Sequence, residues 1–172
     1  MTSEKLPISA FIICQDEEDY LANCIRSLDR CEEIVIVDSG STDNTTGLVK
    51  EFQKAGWPIR FIHQKWLGYA AQKQFALDQC KQPWSLNIDS DERLDEDLRA
   101  LMPRLVEAED KVDGWRIRRR AYLIGYGYTP KHVYERSNLR LVRKGRAAYD
   151  LTQRVHEGLH ASSGVVKEAG RG

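Results

Sequence analysis

Asp89 and Asp91, with Ser90 between them, close the run Trp84-Ser85-Leu86-Asn87-Ile88 and are the residues best placed for chemistry. In an extended segment side chains alternate, so both carboxyls leave the chain on one side. Neighbouring acids repel unless a cation lies between them, and a Mg²⁺ or Mn²⁺ that also takes phosphate oxygens is the natural guest. Metal ligation therefore falls on Asp91 and Asp89. An EF-hand loop is excluded by counting, since one starting at Asp89 would need glycine at Leu94 and glutamate at Ala100. The plainer alternative is an acidic helix start, which Glu92, Asp95, Glu96 and Asp97 fit.

Four further groups are candidates. Asp38-Ser39-Gly40-Ser41-Thr42-Asp43 can form a tight turn whose Asp38, Ser41 and Asp43 meet a nucleotide base or ribose; helix capping is the competing reading. Arg140 and Arg143 alternate with Leu139, Leu141 and Val142, and suit either a departing diphosphate or a charge-protected edge strand. Arg116, Arg118 and Arg120 would share one strand face, which reads first as a solvated face. His156-Glu157 reads from the residues alone as an exposed loop pair.

Such groups act together only if backbone elements bring them together. Residues 8–14, 33–37, 59–63 and 84–88 are short apolar runs that predict buried strands. Residues 19–30, 42–55, 69–80 and 94–109 carry helical patterns, the last one kinked or split at Pro103. Strands alternating with helices imply parallel pairing through right-handed crossovers, and ligands of such sheets bind outside the carboxyl ends of the strands. After about Lys111 the pattern changes to strands at 114–120 and 138–142, joined by a Gly/Tyr-rich connection. One domain over 1–172 is expected, with a nucleotide-binding half at 1–110 and an acceptor-side half at 111–172. The small, irregular last twelve residues suggest a chain stopped short.

Composition narrows the class. With 172 residues, 41% of them hydrophobic, the chain can bury a sizeable core. Lys+Arg and Asp+Glu are both 26, so no general attraction to nucleic acid is expected. The four cysteines form no C-x-x-C pair and read as reduced thiols of the cytoplasm. The N-terminal segment lacks the pattern of a secretory signal, and no apolar run approaches the roughly 18 residues of a membrane span.

Taken in order, ISAFIICQDEEDYLANCIRSL, EIVIVDSGSTDNT, GYAAQKQFAL and WSLNIDSDERL resemble the family 2 glycosyltransferases of the GT-A fold. WRIRRRAYLIGYGY, LRLVRKGRAAY and RVHEGL are similar to the bacterial branch that adds glucose or a related sugar to the lipopolysaccharide inner core. The resemblance implies an α/β, Rossmann-like, mostly parallel sheet, with a smaller mixed-strand acceptor half. It also implies an inverting, metal-dependent hexosyl transfer from a UDP-sugar, most simply UDP-glucose, with Mg²⁺ or Mn²⁺ as cofactor. The main chain up to Cys14, together with Glu17, would line the nucleotide pocket. Asp38 would hold the base or ribose, and Lys73 would lie beside the base. Asp89 would contact ribose or metal, and Asp91 would ligate the metal. Arg140 and Arg143 would steady the diphosphate. Glu157 would deprotonate the acceptor hydroxyl, and His156 would ligate the metal or touch the diphosphate. The acceptor would be a lipid-linked glycan, met peripherally at the cytoplasmic face of the inner membrane. Two departures stand out: Asp16 where an Asn is usual, and Gln74 where an Asn follows Lys73. The competing readings are a transferase acting on another polysaccharide or a protein, and a nucleotide-sugar-binding module without turnover.

Overall fold

The apolar runs become the centre of a seven-stranded sheet. The computed structural model describes residues 4–123, 125–130, 137–152, 158–162 and 164–169. In chain order the elements are β1 (Leu6–Cys14), α1 (Leu21–Ser27), β2 (Cys31–Asp38), α2 (Thr45–Lys54), β3 (Ile59–His63), α3 (Tyr69–Asp78), β4 (Trp84–Asn87) and α4 (Glu96–Val106). There follow β5 (Val112–Ile117), β6 (Tyr122–Leu123), β7 (Gly127–Tyr128), β8 (Asn138–Arg143), β9 (Ala147–Tyr149), β10 (Leu159–Ala161) and β11 (Val165–Glu168). The main sheet runs β11-β5-β8-β4-β1-β2-β3, and β9–β10 and β6–β7 form separate two-stranded sheets. Strands β1 to β4 pair in parallel, while β8 enters antiparallel between β4 and β5.

Helices on both faces explain why β1 reads as nearly continuous apolar sequence rather than alternating. Ile8, Ala10, Ile12, Ile34 and Ile36 pack with Leu21 and Ile25 of α1, Val49 of α2 and Met102 of α4. Phe11, Val35 and Val37 point the other way, onto Ala70 and Ala76 of α3 and Tyr149 of β9. Each fully buried Ile, Val or Leu contributes about 1.5–3 kcal/mol to this two-sided core.

The four strands and four helices of the first half lie where the sequence predicts them, with α1 shorter than expected. Pro103 does not split α4. Arg99 is four residues before Pro103, which has no N–H to offer its carbonyl, and that carbonyl accepts from Arg30 Nη1 at 3.4 Å instead. Asp95 caps the helix by accepting from the Leu98 amide at 2.9 Å. In the second half β5 ends at Ile117, so Arg118 and Arg120 do not share a strand face with Arg116. The short strands β6, β7, β9, β10 and β11 were not expected; runs of two to four residues carry too little period to register. Among the described residues no helix is long and apolar enough to cross a membrane.

Candidate functional site

Register lines up the strand ends. Cys14, Asp38 and His63 are direct neighbours across β1, β2 and β3, and Phe11 pairs with Asn87 of β4. The loops that follow these strands therefore meet at one corner of the carboxyl edge.

Asp38 is buried and spends its carboxylate on its own turn. It accepts from the Gly40 amide at 2.9 Å, from the Ser41 amide at 3.1 Å and from Ser41 Oγ at 2.5 Å, with His63 Nδ1 at 3.5 Å. Gly40 has φ +109°, a conformation that side chains resist. Cys14 Sγ lies 4.0 Å from Asp38, and burial together with that carboxylate pushes the thiol far above its ordinary pKa, so Cys14 is an inert packing residue.

The loops after β1 and β2 are bolted to each other. Asp16, at φ +55°, accepts from the Thr42 amide at 2.6 Å, and its own amide donates to Ser41 Oγ at 2.9 Å. The Glu18 amide donates to Asp43 at 3.1 Å, and the Glu18 carboxylate accepts from the Asn44 amide at 2.7 Å. Asp43 also accepts from the Thr45 amide at 2.9 Å. Ser41 and Asp43 thus serve loop and helix-start bonding, the competing reading of this motif. The departure at Asp16 has a physical account, because Asn and Asp both tolerate a left-handed backbone and both offer the side-chain oxygen that Thr42 needs.

The D-S-D segment divides into two unlike carboxylates. Asp89 lies between two cations, Lys73 Nζ at 3.1 Å and Arg140 Nη2 at 3.3 Å. Burial opposes its charge, but Arg140 and Lys73 outweigh burial and hold its carboxyl below the usual carboxylate range. That charge adds stability above the unfolded carboxylate pKa of about 3.9, and the contribution disappears as pH falls through the lowered folded value. Arg140 also bonds Glu92 at 3.1 Å and Asn87 Oδ1 at 3.1 Å, and Glu92 accepts from the Asp89 amide at 3.1 Å. Asp89 is therefore not bare of cations, contrary to what the sequence suggested: β8 delivers Arg140 and α3 delivers Lys73.

Asp91 is exposed and faces acids instead. Glu17, partly buried beside it, has its carboxyl pushed above the usual range by burial, then by the charges of Asp91 and Asp43, against a hydrogen bond with Ser90. Among the described residues no three His, Cys, Asp or Glu side chains converge as a ready-made metal cage. A Mg²⁺-type ion, however, is commonly held by one or two carboxylates plus substrate phosphate oxygens. Asp91, open and flanked by a carboxyl that already suffers its charge, fits that mode; Asp89, saturated by Lys73 and Arg140, fits it less well.

Arg143 does not join this corner. β8 runs antiparallel to β4, so Arg143 pairs with Trp84 at the opposite end from Asn87. There it stacks over the Trp84 ring at 4.5 Å and donates to the carbonyls of Val112 at 2.8 Å, Ala108 at 2.5 Å and Glu109 at 3.0 Å. His156 and Glu157 lie outside the described residues. Sequence reasoning missed Asn87, which is buried with its Nδ2 lacking a hydrogen-bond partner. The signal was present: an amide inside an apolar strand, in phase with Asp89 and Asp91. Gln74 was noted only as a departure; its Oε1 accepts from the Tyr149 amide at 2.8 Å and ties α3 to β9.

Residues 9–160 match the domain described as glycosyl transferase family 2. The chain belongs to this family. It is 65% identical over 155 residues to LpsC of Rhizobium meliloti, described as a lipopolysaccharide core biosynthesis glycosyltransferase, a match covering 90% of the chain and 57% of LpsC. The chain thus spans little more than half the length of that relative. Its fold resembles S. aureus TarS in complex with UDP, with a TM-score of 0.64, 17% identity, and 88% of this chain covered against 52% of that one. It also resembles the mannosyltransferase PcManGT of Pyrobaculum calidifontis in complex with GDP-Man and Mn²⁺, with a TM-score of 0.54, 20% identity, and 67% of this chain covered against 36% of that one. The GT-A fold expected of a family 2 domain is the fold observed.

Proposed function

We propose that this family 2 domain forms the nucleotide-sugar side of an inverting, metal-dependent hexosyltransferase that moves glucose from UDP-glucose to a lipopolysaccharide core or similar glycan. The observation that carries the reading is the corner itself: open Asp91 beside Glu17, next to Asp89 held between Lys73 and Arg140. The 65% identity to LpsC supports the acceptor class, and the UDP complex of the TarS fold relative supports the nucleotide.

The main chain up to Cys14, with Glu17, lines the base pocket, and Asp38 acts by holding the turn rather than by offering a free carboxylate. Lys73 and Arg140, now shared with Asp89, also face the diphosphate and steady the charge it gains. Asp91 would hold Mg²⁺ or Mn²⁺, with Asp89 and His156 as further candidate ligands, and the ion's chemistry is neutralisation of the leaving diphosphate. Glu157 takes the acceptor hydroxyl proton as the diphosphate departs from the opposite face. The acceptor is a lipid-linked glycan at the cytoplasmic face of the inner membrane, reached by peripheral contact.

A thermal-shift panel tests the donor assignment, since a ligand that prefers the folded state raises its melting temperature. UDP and UDP-glucose are expected to raise it only with Mn²⁺ present; a panel flat for every nucleotide would sink the proposal. Glu157→Gln is expected to keep the UDP shift and to lower sugar transfer by about 10²–10⁴-fold. Near-normal transfer by that variant would remove Glu157 as the base.

A further inference from the structure

The β6–β7 hairpin takes no part in the chemistry above, yet it is attached to the same corner. Tyr122 and Tyr128 face each other across it, ring centroids 5.0 Å apart at 68°. Tyr126, at its turn, is 91% exposed, and Tyr122 is 60% exposed. Tyr128 is clamped: Arg93 donates to its hydroxyl, and the guanidinium groups of Arg93 and Arg120 lie 5.1 and 5.3 Å from its ring centroid. Arg93 follows Asp91 by two residues, so the hairpin is fastened directly to the D-S-D segment. A second tie runs beside it, from Arg119 to Glu92 at 3.5 Å and from Glu92 to Arg140.

We infer that this hairpin is the platform on which an anionic glycan acceptor lies, tyrosine faces against its sugar rings and Arg93 and Arg120 toward its phosphate or carboxylate groups. One face of a pyranose is made of C–H groups ringed by hydroxyls. It can cover an exposed tyrosine while its polar rim stays in water, which removes apolar area from solvent at little cost in hydrogen bonds. Guanidinium groups match phosphate and carboxylate geometry with paired donors. The ties through Arg93 and Glu92 mean that a ligand on the tyrosines is held against Asp89 and Asp91, where a transferred sugar must leave its donor. Tyrosine and arginine also suit a bilayer surface. Among the described residues of the hairpin, however, tyrosines outweigh aliphatic side chains, with Leu123 the exposed aliphatic one, and a single leucine buries too little area to anchor a protein in lipid.

The inference rests on the glycosyl-transfer reading, and its test separates the two. The 172-residue chain and its Tyr126→Ala and Tyr122→Ala variants are titrated with a deacylated, phosphate-bearing lipopolysaccharide core oligosaccharide, with the same oligosaccharide after dephosphorylation, with UDP plus Mn²⁺, and with phosphatidylglycerol-containing vesicles. Both tyrosines are exposed, so the variants are expected to fold. The phosphorylated oligosaccharide is expected to bind best. Loss of Tyr126 should weaken it about tenfold, a stacking-sized effect, with UDP binding unchanged. Equal oligosaccharide affinity for the parent chain and both variants overturns the platform. Vesicle binding without oligosaccharide binding overturns it too, and makes the hairpin a lipid contact. Tyrosine-dependent oligosaccharide binding with no UDP response would support the platform and remove the donor assignment instead.

Discussion

Asp91→Ala is expected to abolish the Mn²⁺-dependent response to UDP while the unliganded protein melts no lower than before. At a ligand concentration about 100 times its Kd, binding adds about 2.7 kcal/mol, which for a domain of this size is a shift of about 5–10 °C. That shift should vanish in the variant. Two features make the experiment clean. Asp91 is exposed, so its truncation opens no cavity. Its charge also helps push the Glu17 carboxyl upward, so removing it relieves a repulsion. Asp89→Ala would not serve, because it removes the carboxylate between Lys73 and Arg140 in a partly enclosed corner and confuses folding with binding. A full Mn²⁺-dependent UDP shift in Asp91→Ala would overturn the metal assignment.

Arg143→Ala is expected to lower stability by about 3 kcal/mol, through loss of donors to three carbonyls and of its stacking on a tryptophan. The melting temperature should fall by about 6–12 °C, and urea denaturation should move to a lower midpoint. Those carbonyls, of Ala108, Glu109 and Val112, lie where α4 turns into β5, so the arginine pins that junction. UDP affinity of the folded fraction should stay unchanged, because Arg143 lies three residues along β8 from Arg140, roughly 10 Å away. A stable Arg143→Ala protein that has lost UDP binding would contradict this placement.

The contrast between Arg140 and Arg143 shows what strand phase and pairing direction decide. In the sequence both are arginines spaced among apolar residues, with equal claim to a diphosphate. Only the antiparallel entry of β8 beside β4 sends one to the carboxyl edge and the other to the opposite end. Asp38-Ser41-Asp43 has the same lesson at short range. The residue types allow either ligand contact or turn bonding, and the packing of the loop after β1 against the loop after β2 commits their oxygens to the turn. Asn87 escaped notice, and Glu92 read only as part of an acidic helix start, because their part in the corner exists only once Arg140 reaches across from a strand fifty residues away.

The alternating apolar and helical segments of residues 8–109 by themselves determined the parallel sheet, the crossover helices and the edge at which the D-S-D pair would stand. Local pattern suffices there because each element is long enough to show its period and buries a face that nothing else could cover. The tertiary structure alone decided which charges meet at that edge, how Asp89 and Asp91 come to differ, and where the short strands beyond residue 117 fall. Those outcomes depend on pairings between segments far apart in the chain, and strands of two to four residues have no period of their own to announce them.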